Sequence, residues 1–329
     1  NNAIGPVVEA DQMWARKQGE ESARQRFELS ARRLLLNVFR VGLFENPYLD
    51  PAETSKIVGK PEYMKEGYEA QLKSIVMLKN HGNSVLPVKD RKKVFVPKRH
   101  FPAIPGAWGG ISEEKTVEPI SLDLVKKYFD VVDSPDKADF AICLIEEPST
   151  GFGFIYDDVK RGGNGYLPFS LQYEDYTARD ARAVSIAGGD PMEKSTNRSF
   201  RGKTVKAYNR DDMVLVADTK KAMGDKPVIV ILETGRPVVL SEIEPSADAI
   251  LVSFNVQHQA LLDIISGKNE PSALLPMQMP ADMKTVEEQQ EDVPRDMRCY
   301  QDADGHTYDF AFGLNWSGPI CDARVEKYK

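Results

Sequence analysis

The chain has 329 residues, 41% hydrophobic and 28% charged, with 43 Lys and Arg against 50 Asp and Glu for a formal net charge of −7. That length holds one large α/β domain or two smaller ones around a substantial core, and the composition excludes wholesale disorder. The acidic balance argues against a nucleic-acid partner, whose affinity rests on phosphate neutralisation, and no apolar run approaches the length of a membrane span.

The N-terminus "NNAIGPVVEADQ" has neither the basic start nor the apolar core of a signal peptide and lacks an initiator Met, so the chain is expected to begin inside a longer gene product. From Asp11 to Gly42 the pattern is helical, with Phe27, Ala31, Leu34, Leu35 and Val38 on one face, Asp11 as N-cap and Gly42 as stop. "ENPYLDPAETSKIVGKPEY" (45–63) carries three prolines and no periodicity, which predicts a linker. A second helix is predicted with Tyr68, Leu72, Ile75 and Val76 inward, ending near "KNHGN". The basic stretch "KDRKKVFVPKRH" (Lys89–His100) reads as solvated charge flanking a short strand.

Four continuous apolar runs follow the pattern of strands buried on both faces: "KVFV" (93–96), "FAICLI" (140–145), "PVIVIL" (227–232) and "AILVSF" (249–254). Helices are predicted near Leu122–Phe129, Asp211–Met223 and Gln257–Ser266. This alternation implies an α/β fold, a mainly parallel sheet sandwiched between helices. The Gly- and aromatic-rich segment "STGFGFIYDDVKRGGNGYLPF" (149–169) follows directly on "FAICLI", at the strand end where open α/β sheets bind ligands. "DADG" (302–305) predicts a tight turn feeding a strand with Tyr308, Phe310, Phe312, Leu314 and Trp316 at period two. Cys143, inside "FAICLI", reads as core, and Cys299 and Cys321 are open to pairing or to staying free, so the redox compartment is not fixed.

Most chemical motifs fail on spacing. "GFGF" (151–154) and "RGGNG" (161–165) start no amphipathic helix, and "RGKTV" (201–205) lacks the upstream glycine of a phosphate loop. The four histidines, His81, His100, His258 and His306, stand far apart without a metal-ligand spacing, and no Gly-x-Ser-x-Gly elbow appears. As a calcium loop from Asp302, the chain has Gly305 at position 4, His306 at position 5 and Gly313 at position 12, all wrong, so no metal is expected. Carboxylates remain: Glu146 and Glu147 close a strand, and Asp157 and Asp158 sit in the loop beyond it. A carboxyl group in a partly apolar loop can have its pKa raised and act as a general acid, while the plain alternative is a solvated loop carboxylate.

Five segments in order carry a resemblance to family 3 glycoside hydrolases. "ARRLLLNVFRVGLFENPYLDP" (31–51) and "SIVMLKNHGNSVLPV" (74–88) resemble that family's linker and following helix. "VIVILETGRPVVL" (228–240), "GKNEPSALLPMQMP" (267–280) and "YDFAFGLNW" (308–316) resemble its Gly-Arg-Pro strand, its Leu-Pro segment and its Phe-Gly-Leu strand. The resemblance implies an (α/β)6 sandwich over residues 66–329, a linker over 45–65, and over 1–44 the terminal helical part of an N-terminal barrel that is otherwise absent. It implies a retaining β-glycosidase acting on β-glucosides or related oligosaccharides, no cofactor, a barrel partner from the same gene product and a periplasmic or secreted location, with a homodimer left open. In that family the barrel carries the aspartate nucleophile and the sandwich lends a loop with the acid/base, usually a glutamate. Retention needs two carboxyl groups about 5–5.5 Å apart, so the chain alone is not expected to turn over a glycoside.

The sequence departs from the family where the acid/base glutamate would stand. Glu147 falls at the strand-end position, the middle of the loop has no glutamate, and Asp158, with Asp157 beside it, is the favoured replacement. Phe152, Phe154, Tyr156 and Tyr166 would stack on a sugar ring or pin the loop. "FNVQHQALLD" (254–263) replaces the family's usual substrate-contacting turn, and the insertion 176–212 has no counterpart. A non-catalytic carbohydrate-binding or scaffolding domain is the alternative from another class, and a Rossmann-like nucleotide binder is disfavoured by the missing phosphate loop.

Overall fold

The computed structural model describes residues 4–104, 110–151, 153–154, 156–184, 199–290 and 293–327. The chain divides into two compact units, Asn1–Glu66 and Gly67–Lys329. The first holds α1 (Ile4–Gln18), α2 (Glu20–Arg40), α3 (Pro51–Ile57) and the start of α4 (Pro61–Leu72). The single helix expected from Asp11 to Gly42 is two, because Gly19 adopts φ 89°, a conformation open to glycine that breaks the helical path. Part of the expected linker is helical: Asp50 caps α3 by accepting from the Ala52 N–H, and Pro51 opens it where no N–H is needed.

The second unit is built on β1 (Val76–Asn80), β2 (Lys93–Phe95), β3 (Arg99–Phe101), β4 (Lys115–Val117), β5 (Asp130–Val132), β6 (Phe140–Glu146), β7 (Tyr176–Thr177), β8 (Thr204–Val205), β9 (Val228–Glu233), β10 (Ala249–Ser253), β11 (Leu314–Asn315) and β12 (Gly318–Pro319). Eight of these form one sheet in the order β12-β11-β1-β10-β9-β6-β2-β5. The run β10-β9-β6-β2-β5 is parallel, and β1 joins it antiparallel to β10. The sheet carries α5 (Leu122–Val125), α6 (Tyr156–Lys160), α7 (Asp211–Met223), α8 (His258–Ile265), α9 (Met283–Glu288) and α10 (Ala323–Glu326) around it. This is the α/β architecture expected from the alternating runs. On one face Ile142, Leu144, Ile231 and Leu251 pack with Leu261 and Ile265 of α8; on the other Cys143, Val230 and Val252 pack with Val216 and Met223 of α7. Burial on both faces explains why these strands read as unbroken apolar runs rather than as alternating patterns.

Two expectations of secondary structure fail in the second unit. The segment Val76–Asn80, read as the end of a helix, is a strand with all five residues buried. Its Lys79 is tolerated there because the ammonium is ion-paired with the buried Glu244 carboxylate, which also accepts from the Tyr300 hydroxyl at 2.8 Å. The expected strand 308–316 shrinks to Leu314–Asn315, because Ala311 takes φ 67° and turns the chain out of the extended region. Tyr308 is nevertheless buried, donating to Asp302 Oδ2 at 2.9 Å. Cys143 is buried as expected, and Cys299 and Cys321 are unpaired.

Candidate functional site at the carboxyl edge of the sheet

The chain visits β2, steps outward to β5 and returns to β6 on the other side of β2, so the order of strand addition reverses between β2 and β6. Ligand crevices open at such a reversal, beyond the carboxyl ends of the strands. Here the reversal is filled by Arg99, which is 1% exposed. It makes a two-pronged bond to Asp212, with Nε to Oδ1 at 2.7 Å and Nη2 to Oδ2 at 2.8 Å, and Nη1 reaches Glu146 Oε1 at 2.8 Å. Arg99 therefore departs from the solvated reading of the basic stretch around it: a guanidinium is held inside only by donors and acceptors that match its fork. Asn209 braces the cluster by donating to Asp212 Oδ2 and to the Glu147 carbonyl, both at 2.9 Å, while its own Oδ1 accepts from the Ser149 N–H at 2.7 Å.

Glu147, the expected strand-end carboxylate, is spanned by donors. Oε1 accepts from Arg236 Nε at 2.6 Å, and Oε2 accepts from the Thr234 hydroxyl and the Gly235 N–H at 2.7 Å each. Asp158 closes the loop that follows. Its Oδ2 accepts from the Gly165 N–H at 2.9 Å and from Lys203 Nζ at 3.1 Å, and those two donors hold its carboxyl below the ordinary carboxylate range. Lys203 also donates to Asn164 Oδ1 at 2.6 Å and the Tyr166 carbonyl at 2.7 Å. Lys203 of the insertion thus grips the glycine-rich loop. At Gly163 a Cβ would lie 2.1 Å from Asp158 Oδ2, so a side chain there would push the carboxylate off its donors.

The loop aromatics divide. Phe154 and Tyr166 bridge the two arms of the loop and meet edge to face at a centroid distance of 5.3 Å. Phe152 lies outside the described residues, as do the side chains of Tyr156 and Asp157. Of the site residues expected from the sequence, Glu147, Phe154, Asp158 and Tyr166 therefore share one strand-end loop.

Sequence reasoning missed a second row on the same edge. The parallel register sets Glu146 beside Glu233 and Glu233 beside Ser253, so the three side chains leave one face of the sheet together. Burial first, and the Glu146 charge second, push the Glu233 carboxyl above its ordinary range. His258, at the start of α8, places Nε2 3.8 Å from Glu233 Oε1, and burial pulls its imidazole below the ordinary value. The one signal in the sequence was a Glu or Ser ending each apolar run, which acquires meaning only through the register.

At the far C-terminal turn, Asp302, Asp304 and His306 bring potential ligand atoms within 4.8 Å of one another. Asp302 already accepts from the His306 N–H at 2.8 Å and the Tyr308 hydroxyl, the bonding of a turn clamp.

Residues 75–316 match the profile described as the glycosyl hydrolase family 3 C-terminal domain. A protein named "Probable beta-glucosidase C" from Aspergillus flavus is 26% identical over 302 residues, covering 92% of this chain and 37% of that protein. "Periplasmic beta-glucosidase/beta-xylosidase" from Dickeya chrysanthemi is 23% identical, covering 89% of this chain and 35% of its own length. Among solved structures, the β-glucosidase from Listeria innocua in complex with isofagomine is 17% identical, with a TM-score of 0.47 over 95% of this chain and 41% of that one. The chain thus spans little more than a third of the relatives it matches. With the profile covering most of the sheet and its carboxyl edge, the chain belongs to the family of glycosyl hydrolase family 3 C-terminal domains.

Proposed function

We propose that this chain is the sandwich part of a retaining β-glycosidase, with β-glucosides as the substrate class, and that it is inactive without a barrel carrying the nucleophile. The observation that carries the reading is the loop 147–168 at the carboxyl edge of the sheet, held in shape by Lys203 and by the Phe154–Tyr166 contact. A clamped loop places its carboxylates reproducibly, which is what a partner domain needs from a lent acid/base. Asp158 and Asp157 are the proposed acid/base candidates. Glu147 is the brace that fixes the base of the loop through Arg236 and the Gly235 N–H. Phe154 and Tyr166 pin the loop, and sugar stacking falls to Phe152 and Tyr156.

The exposed apolar side chains of residues 29–64, among them Leu34, Val41, Phe44 and Tyr48, support a barrel as the partner. A periplasmic or secreted location belongs to the same reading, supported by the compartment that the name of the Dickeya relative states. No helix among the described residues is long and apolar enough to cross a membrane. The test is to express the chain together with the coding sequence upstream of Asn1 and assay an aryl β-glucoside. The long product should hydrolyse it and the 329-residue chain should not. Asp158→Asn and Asp157→Asn in the long product identify the acid/base as the change that spares substrates with good leaving groups and cripples poor ones. An inactive long product, or an active short one, defeats the proposal.

A further inference from the structure

The row ending β6, β9 and β10 contains three polar side chains that satisfy one another poorly. Ser253 is fully buried, and its Oγ has no hydrogen-bond partner among the described residues. Among the described residues the Glu233 carboxyl accepts no hydrogen bond, and its nearest cation is His258 Nε2 at 3.8 Å, beyond hydrogen-bonding reach. Buried hydroxyl and carboxyl groups are ordinarily bonded, because a bare one has given up its water without replacement. Two adjacent groups left bare at the binding edge of an α/β sheet, Ser253 and Glu233, mark a place where something else completes the bonding.

The chemistry of that occupant follows from the surroundings. Exposure rises along the row, from 0% at Ser253 to 14% at the Glu233 side chain and 47% at Glu146, so the row opens outward from a buried end. The charged and titratable groups facing Glu233 are Glu146 from its own sheet, Arg99 from β3 and His258 from α8. Glu146 is already matched by Arg99. An anion would meet Glu146 and Glu233, and an extra cation would find its best carboxylate taken. A neutral ligand bearing neighbouring hydroxyls, each able to donate and accept, fits a carboxyl, an imidazole and a serine hydroxyl together.

We propose that Glu233, His258 and Ser253 form a subsite that takes up the hydroxyl groups of a sugar residue. The assignment rests on the glycosidase reading above and adds a sugar contact from the sandwich itself, on strand ends rather than on the loop.

The test uses the purified 329-residue chain and reads its four histidine rings by nitrogen-15 NMR during titration with D-glucose. The His258 ring should shift saturably in the millimolar range of a partial site, while the rings of His81, His100 and His306 stay in place. Ser253→Ala should weaken that response about tenfold, and Glu233→Leu should abolish it. Glu233→Gln, whose amide keeps a donor and an acceptor, should retain it. Thermal unfolding of each variant separates a lost contact from a lost fold. A His258 ring that ignores glucose in the wild-type chain overturns the subsite, leaving water as the occupant. So does a Ser253→Ala variant that responds like the wild type. Either result leaves the glycosidase reading standing, because that reading is decided by the activity of the longer product.

Discussion

In the first unit Leu34, Phe44, Tyr48 and Leu49 are 73%, 64%, 82% and 82% exposed, and Ala23 is the one buried residue among those described there. In the second unit each of β1, β9 and β10 has buried residues along its length, and the two faces of the sheet pack separate clusters. Both units are rich in Leu, Val and Phe, so apolar content does not separate them. What differs is whether an apolar side chain finds a second layer. A helix pair shows its stripe to one neighbour, whereas a parallel sheet is covered on both faces. Stability should therefore sit in the second unit, and surface available for a partner in the first.

Arg99→Met should break this contrast most severely. It leaves Asp212 buried without its cation, and losing one partner of a buried pair costs about 3–5 kcal/mol, read as a lower urea midpoint. A midpoint near that of the wild type would mean that the cluster at the sheet reversal is an ornament of the fold. Ile231→Ala comes next, at about 2–4 kcal/mol for a cavity in the sheet's centre, with the far-ultraviolet signal of α1 and α2 unaffected. Loss of helical signal in step with the sheet would merge the two units into one cooperative block.

A pH series sharpens the comparison within the second unit. The folded-state pKa of Glu233 is raised, so its contribution is complete below the ordinary carboxylate pKa of about 4.3. It is lost as pH rises from there through the raised folded value. Glu233→Gln should lack that decline, and parallel pH–stability curves for variant and wild type would refute the shift. Asp158 runs the other way: its pKa is lowered, so the clamp holds above the ordinary carboxylate value and is lost as pH falls through the lowered one. Lys203→Met should cost less than about 1 kcal/mol, because the lysine is partly exposed, yet should speed proteolytic cleavage between Asp158 and Tyr166. Phe44→Ser should change the stability of this chain by no more than about 0.5 kcal/mol while weakening association with a barrel.

The parts legible in the sequence were those dictated by local pattern. Strands buried on both faces announce themselves as apolar runs, and the positions of β6, β9 and β10 followed directly. β1 was misread because Tyr68, Leu72, Ile75 and Val76 happen to lie at helical spacing, and because Lys79 disguises a buried strand. What makes Lys79 tolerable is Glu244, which no local window contains. The strand expected over 308–316 had faultless alternation and failed on one backbone angle, at Ala311.

The candidate site was half legible for a similar reason. The loop carboxylates and aromatics were visible as composition, but their partners, Lys203, Arg236 and Asn209, come from remote segments. Arg99 sat in a stretch that looked solvated, and only the reversal between β2 and β6 turns it inward. Glu233 and Ser253 became a pair through register, a property that exists only once the strands are aligned.

The placement of β1 also sets an order of events. It is the first strand of the sheet in sequence, yet its neighbours are β10 and, through the Met77–Leu314 pairing, β11 near the C-terminal end. The earliest strand of the sheet to be synthesised thus waits for β10 to close one edge and for β11 to close the other. Until β11 arrives Val76–Asn80 keeps an open edge, the kind of segment that seeks strands in other molecules. A nascent chain stalled before Leu314 should be markedly more prone to aggregate than the finished one, and the last few residues of the sheet act as its fastening.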